Sequence, residues 1–181
     1  VYRNKAKLND DIYVTGNLGD SFVGLQILKN KIKLGKKANN YFINKYYHPD
    51  IQISLAKKLL KFANTSIDIS DGLVADLDKM LNNLNFSYQI YEDKIPTSKY
   101  LSELVKKNKI KKFKLISNGD DYQILFTANT SKSRIIQRTS RILDIKITKI
   151  GKIVSGKKKS SMLDQKGKQI LLKSKGYIHQ F

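Results

Sequence analysis

The spacing of apolar and polar positions divides the chain into short elements of both kinds. Ile12-Tyr13-Val14-Thr15 is an apolar run that predicts a β-strand, closed by the turn Gly16-Asn17-Leu18-Gly19. Asp20 or Ser21 can cap a helix carrying Val23, Leu25, Ile27 and Leu28. Lys29 to Asn44 is polar and lysine-rich and reads as a loop or linker with some helix, and His48-Pro49-Asp50 marks a break. Leu55, Leu59, Leu60 and Phe62 predict a helix from about Gln52 to Ala63, and Thr65 to Ile69 a short buried strand. Leu73, Leu77, Met80, Leu81 and Leu84 then form one stripe of an amphipathic helix. Strands follow at Tyr88–Tyr91, Phe113–Ile116, Tyr122–Thr127 and Ile145–Ile153, and helices at Tyr100–Lys107 and Lys132–Leu143. Hairpin pieces close the chain around Ser161-Met162-Leu163 and Gln169-Ile170-Leu171. The fold class is α/β or α+β, a mixed sheet with packed helices.

A lone N-terminal strand and helix cannot bury both their faces. Residues 1–30 are therefore expected to be the last strand and helix of a larger N-terminal domain, residues 31–46 a linker, and residues 47–181 a C-terminal α/β domain. On that expectation strand 12–15 is an unpaired edge.

Composition narrows the classes. No stretch approaches the ~20 apolar residues of a membrane span, and the absence of cysteine excludes disulfides and thiolate metal sites. A cytoplasmic protein is the simplest reading. The net charge of +20 raises a nucleic-acid partner as one possibility. Against it, lysine far outnumbers arginine and is spread along the whole chain, and Lys157-Lys158-Lys159 sits in a hairpin loop. Nucleic acid is thus disfavoured and no membrane partner is expected, although a non-catalytic basic binding domain remains the alternative reading.

The candidate chemistry lies at Asp68-Ile69-Ser70-Asp71-Gly72-Leu73. Two carboxylates three residues apart at a strand-to-helix junction can turn toward one point, where hard oxygen ligands suit Mg²⁺. Backbone N–H groups opening the next helix would favour a phosphate at the same place. Equally, Ser70 or Asp71 can simply cap that helix. An acid inside Ile67-Asp68-Ile69 is costly unless bound, which weakens the capping reading. Asn118-Gly119-Asp120-Asp121-Tyr122 is a second acidic loop that also reads as an ordinary turn. No phosphate-binding G-x-x-x-x-G-K-[ST] loop is present.

In order along the chain, several segments resemble one family. They are Arg3-Asn4-Lys5-Ala6-Lys7, Asp10 to Gly16, Leu18-Gly19-Asp20-Ser21, Tyr47-His48-Pro49, Asp68 to Leu73, Gly119 to Thr127, Ile150-Gly151 and Gly176-Tyr177-Ile178-His179. The family is thiamine-monophosphate kinase, of the aminoimidazole-ribonucleotide-synthetase-like superfamily. The resemblance implies Mg²⁺-dependent transfer of the γ-phosphoryl of ATP to thiamine monophosphate, giving thiamine diphosphate. It implies Asp68 and Asp71 as Mg²⁺ ligands, Arg3 and Ser70 as ATP contacts, Asp120 as a substrate-binding acid and Tyr177 as a substrate-stacking aromatic. Asn118 and Gln123 depart from the family's Gly and Glu, Asn4-Lys5 from Ser-Gly, and the ending His179-Gln180-Phe181 carries an extra residue. The family's N-terminal domain, with further Mg²⁺-binding aspartates, is not in this sequence. The chain is expected to carry about half an active site and to need that half, or a homodimer partner. Another superfamily kinase or synthetase, such as a selenophosphate synthetase or hydrogenase-maturation protein, is a further alternative.

Overall fold

Ile12 and Val14 are fully buried beneath one layer of helices, and Tyr13 between them is buried beneath the other. A strand apolar on both faces belongs in the middle of a sheet. The computed structural model, which describes residues 4–107 and 111–170, places it there. The strand β1 (Asp11–Thr15) is followed by the helices α1 (Asp20–Leu28), α2 (Lys36–Tyr47) and α3 (Ile53–Leu59). Next come β2 (Ala63–Asp68), α4 (Leu73–Leu81), β3 (Phe86–Tyr91), α5 (Lys99–Lys106) and α6 (Lys112–Ile116). The chain continues through β4 (Ile124–Ala128), α7 (Ser133–Leu143), β5 (Ile147–Ser155), β6 (Ser161–Leu163) and β7 (Gln169–Ile170). Among the described residues these strands make one seven-stranded sheet in the order β2-β4-β1-β5-β3-β6-β7. All neighbours are antiparallel except β3 and β6.

One face carries the α4 stripe: Leu73, Val74, Leu77, Met80 and Leu81 pack on Ile12, Val14, Ile67, Ile90, Leu125, Ile150 and Ile153. On the other face α3 and α7 bring Leu55, Leu59 and Ile136 against Tyr13, Phe126 and Ile145. Tyr13 and Phe126 stack at 5.2 Å between ring centroids. A third cluster, Val23, Ile27, Phe42, Leu101 and Leu104, joins α1, α2 and α5.

Several expectations are corrected. Strand 12–15 is not an unpaired edge, because β4 and β5 flank it on either side. It does not sit apart from the elements of residues 47–181, since its own sheet is theirs. Residues 31–46 are not a linker: most of them form α2, fixed by the fully buried Phe42, around which Tyr41 and Tyr100 pack. Residues 113–116 lie in α6, not in a strand.

Candidate functional site

The strand β2 ends at the exposed Asp68, and the chain turns through Ile69 to Gly72 before α4 begins. A second loop, Gly119 to Gln123, runs against this turn. Asp120 donates its N–H to Ser70 O at 3.0 Å and Tyr122 donates to Ile69 O at 2.9 Å. In return Ile69 donates to Gln123 O at 2.8 Å. The approach is so close that a Cβ on Gly119 would meet Ser70 O at 1.7 Å. Gly72 is constrained from the other side: its φ is +111°, and a Cβ there would meet Ser117 O at 2.6 Å. The two acidic motifs, separate in the sequence, are one interlocked structure.

Beneath the turn lies Asp76, fully buried in the first turn of α4. Its Oδ2 accepts the N–H groups of both Ser70 and Asp71, each at 3.0 Å. These two bonds tie the turn that precedes α4 to the first turn of the helix itself. Lys79 donates to Asp76 Oδ1 at 3.1 Å and also pairs with Asp71. Neither Ser70 nor Asp71 caps α4 with its side chain.

A cavity of about 490 Å³ opens over the loops, lined by Ser70, Asp71, Asn118, Gly119 and Asp120 on one side and by Phe22, Lys29 and Tyr46 among its other walls. Of the expected site residues, Ser70, Asp71 and Asp120 therefore come together. Asp68 does not line the cavity, but its charge, with those of Asp120 and Asp71, acts on Tyr122. Arg3 and Tyr177 lie outside the described residues. Burial, and then the charge of Asp71, pushes the Asp120 carboxyl up from its ordinary value. Burial likewise raises Tyr122, helped by Asp120 and Asp68. Asp120 and Tyr122 have φ values of 68° and 50°, the left-handed region. For a side chain as bulky as tyrosine that region costs about 1–3 kcal/mol, and such strain clusters at functional sites.

Asp121 faces the opposite way. It is buried and accepts the Gly19 N–H at 2.8 Å, capping α1 from the loop before the neighbouring strand β4, with a second bond from the Ser21 backbone. Burial pushes its carboxyl up to about 8, against those two donors. Gln123, which departs from the family's glutamate, is also structural. Its Oε1 accepts from Thr15 Oγ1 at 2.6 Å and its Nε2 donates to Asp50 O at 3.2 Å. An amide serves both bonds, where a carboxylate could only accept.

Sequence reasoning missed Asp76, Lys79 and Tyr122. Asp76 had a legible signal, an acid set between Val74 and Leu77 in the apolar stripe of α4. Among the described residues no group of three or more His, Asp or Glu side chains is close enough to hold a metal ion. No helix among them is long and apolar enough to cross a membrane.

No family model matches the chain. A thiamine-monophosphate kinase from Buchnera aphidicola subsp. Schizaphis graminum is 37% identical over 180 residues, covering 99% of this chain and 55% of its own length. The crystal structure of the thiamine-monophosphate kinase from Stenotrophomonas maltophilia superposes with a TM-score of 0.80 at 27% identity, over 94% of this chain and 54% of that one. A structure of AaThiL complexed with AMPPCP and TMP gives 0.78 at 30% identity, over 98% of this chain and 53% of that one. The sheet order and the acidic strand-to-helix junction thus belong to an α/β protein of the aminoimidazole-ribonucleotide-synthetase-like fold. The chain spans about half the length of the curated relatives it matches. Over that stretch its sequence and fold are similar to those of the thiamine-monophosphate kinases.

Proposed function

We propose that this chain supplies one part of an ATP- and Mg²⁺-dependent kinase that phosphorylates thiamine monophosphate. The observation that carries this reading is the convergence of Ser70, Asp71 and Asp120 on one cavity, through loops locked backbone to backbone. In the reaction a phosphate oxygen of thiamine monophosphate attacks the γ-phosphorus of ATP. The β–γ phosphoanhydride bond breaks, and ADP and thiamine diphosphate leave. Such a transfer depends on positioning and charge neutralisation more than on a covalent protein group.

The donor chemistry fits Mg²⁺, which takes one or two carboxylates and completes its shell with water and phosphate oxygens. Asp68 and Asp71 would hold it, and a cation there offsets the repulsion between Asp71 and Asp120. Mg²⁺ neutralises charge on the phosphates when bound. Asp71 must exchange Lys79 for it. Ser70 contacts ATP, and Asp120 sits where a carboxylate attracts the thiazolium cation of the substrate. Arg3 is proposed as a second ATP contact and Tyr177 as a stacking face for the substrate ring. On the family resemblance, further carboxylates for the metal come from the other half of a full-length kinase or from a homodimer partner.

The test incubates this chain, alone and mixed with a polypeptide matching the other half of the Buchnera relative, with ATP, Mg²⁺ and thiamine monophosphate. Thiamine diphosphate is expected only from the mixture. Asp71→Asn or Asp120→Asn should lower turnover about hundredfold or more. A folded mixture that binds both substrates and makes no product overturns the proposal.

A further inference from the structure

One helix uses a cation that the rest of the chain avoids. The sequence holds 31 lysines and 4 arginines, and three of the arginines, Arg134, Arg138 and Arg141, lie on α7. Steps of four and three residues put them on a single stripe of the helix. Helical spacing sets that stripe opposite the buried Ile136, and all three arginines are exposed. No ion pair of the described residues involves any of them. A lysine-heavy composition does not account for an arginine stripe. The two differ physically, since arginine's planar fork grips a carboxylate through two bonds where lysine offers a point charge.

Beside the stripe, on the flank turned toward α3, stand Ile135 and Ile142, the latter 69% exposed. With Arg138, Thr139 and Leu143, and with Lys58 of α3 and Lys61 just beyond it, they line a cleft of about 250 Å³. Leu60, between the two lysines, is 76% exposed. No acidic side chain lines the cleft, and it shares no residue with the cavity over Asp71 and Asp120.

Apolar knobs whose charged neighbours in the cleft are all cations fit one kind of partner best. A second copy seated here through the same face would set Arg138, Lys58 and Lys61 against their own counterparts, like charge on like. A nucleic acid would use the arginines but not the exposed isoleucines and leucine, and α7 has no aromatic side chain on which a base could stack. We infer that the α7–α3 cleft docks an acidic amphipathic protein segment. Its apolar side chains cover Leu60, Ile135 and Ile142, and its carboxylates meet Arg134, Arg138 and Arg141.

The probe is a fluorescein-labelled helical peptide with leucines along one face and glutamates along the other. It is compared with a scrambled peptide of the same composition and with a single-stranded oligonucleotide of equal charge. The full chain should bind the amphipathic peptide at least about tenfold more tightly than either control. Ile142→Glu or Leu60→Glu, both at exposed positions, should each weaken it about tenfold. The triple change Arg134→Lys, Arg138→Lys, Arg141→Lys keeps the charge and should weaken it about threefold. Alanine at Lys157, Lys158 and Lys159 should leave it unchanged. Equal binding of the scrambled peptide means unspecific charge attraction, and equal or tighter binding of the oligonucleotide means a nucleic-acid surface. Either result, or indifference to both glutamate variants with melting unchanged, overturns the inference.

Discussion

Asp76 does at one position what the site needs at three. It satisfies the N–H groups of Ser70 and Asp71 and anchors Lys79, so it holds the turn that presents Asp71. Asp76→Ala leaves two donors and a charge without partners and should cost about 3 kcal/mol, read as a lower urea midpoint at unchanged slope. Asp76→Asn keeps an acceptor and should cost less. Asp121 sets a pH dependence. Its carboxyl titrates at about 8 when folded and near the ordinary 3.8 when unfolded. Between those values the folded chain holds a proton that the unfolded chain has lost, so stability is full below the window and falls as pH rises through it. Asp20 and Asp120, also raised by burial, act in the same direction. The melting temperature should therefore fall between about pH 5 and pH 8. Asp121→Asn, which cannot ionise and still accepts from Gly19, should flatten much of that fall.

At the scale of elements, legibility follows periodicity. The helix α4 can be read because its apolar positions repeat at helical spacing and all face one layer. The helix α2 cannot, because one buried residue, Phe42, holds a segment that is otherwise polar. The four residues from Phe113 alternate like a strand, and a run that short cannot distinguish the two periods. The strand β1 is evident in the sequence, but its place is not the expected edge: a continuous apolar run is the mark of a central strand. The site is half legible. Ser70, Asp71 and Asp120 are singled out by the family resemblance and share one cavity, whereas Asp76 beneath them and the interlock with Gly119 arise only from tertiary contact. Because β1 is central, removing residues 1–30 should split the sheet, not trim a neighbouring domain. Residues 31–181 should show no cooperative melting by circular dichroism, whereas retention of a sharp transition would refute the central role of β1.

For the whole molecule, charge outweighs any single contact. Against +20 the described residues form few ion pairs, most of them partly exposed. Self-repulsion of this kind is long-ranged and weakens as the Debye length shrinks, from ~30 Å at 0.01 M salt to ~8 Å at 0.15 M. The melting temperature should rise over that range of sodium chloride, and a constant or falling value would show that local pairs outweigh the net charge. The expected kinase activity belongs to this scale too, because the matched relatives are nearly twice as long as the chain.

The placement of β1 also fixes an order of events at the ribosome. This strand is made well before its neighbours, since both β4 and β5 lie more than a hundred residues downstream. Until Ser155 has left the exit tunnel the centre of the sheet lacks its full set of flanking strands, and the nascent segment Ile12-Tyr13-Val14 stays exposed. The sheet is therefore completed only after β5 is synthesised, at the slow pace of distant pairings, and the waiting strand is the natural point for a chaperone to hold.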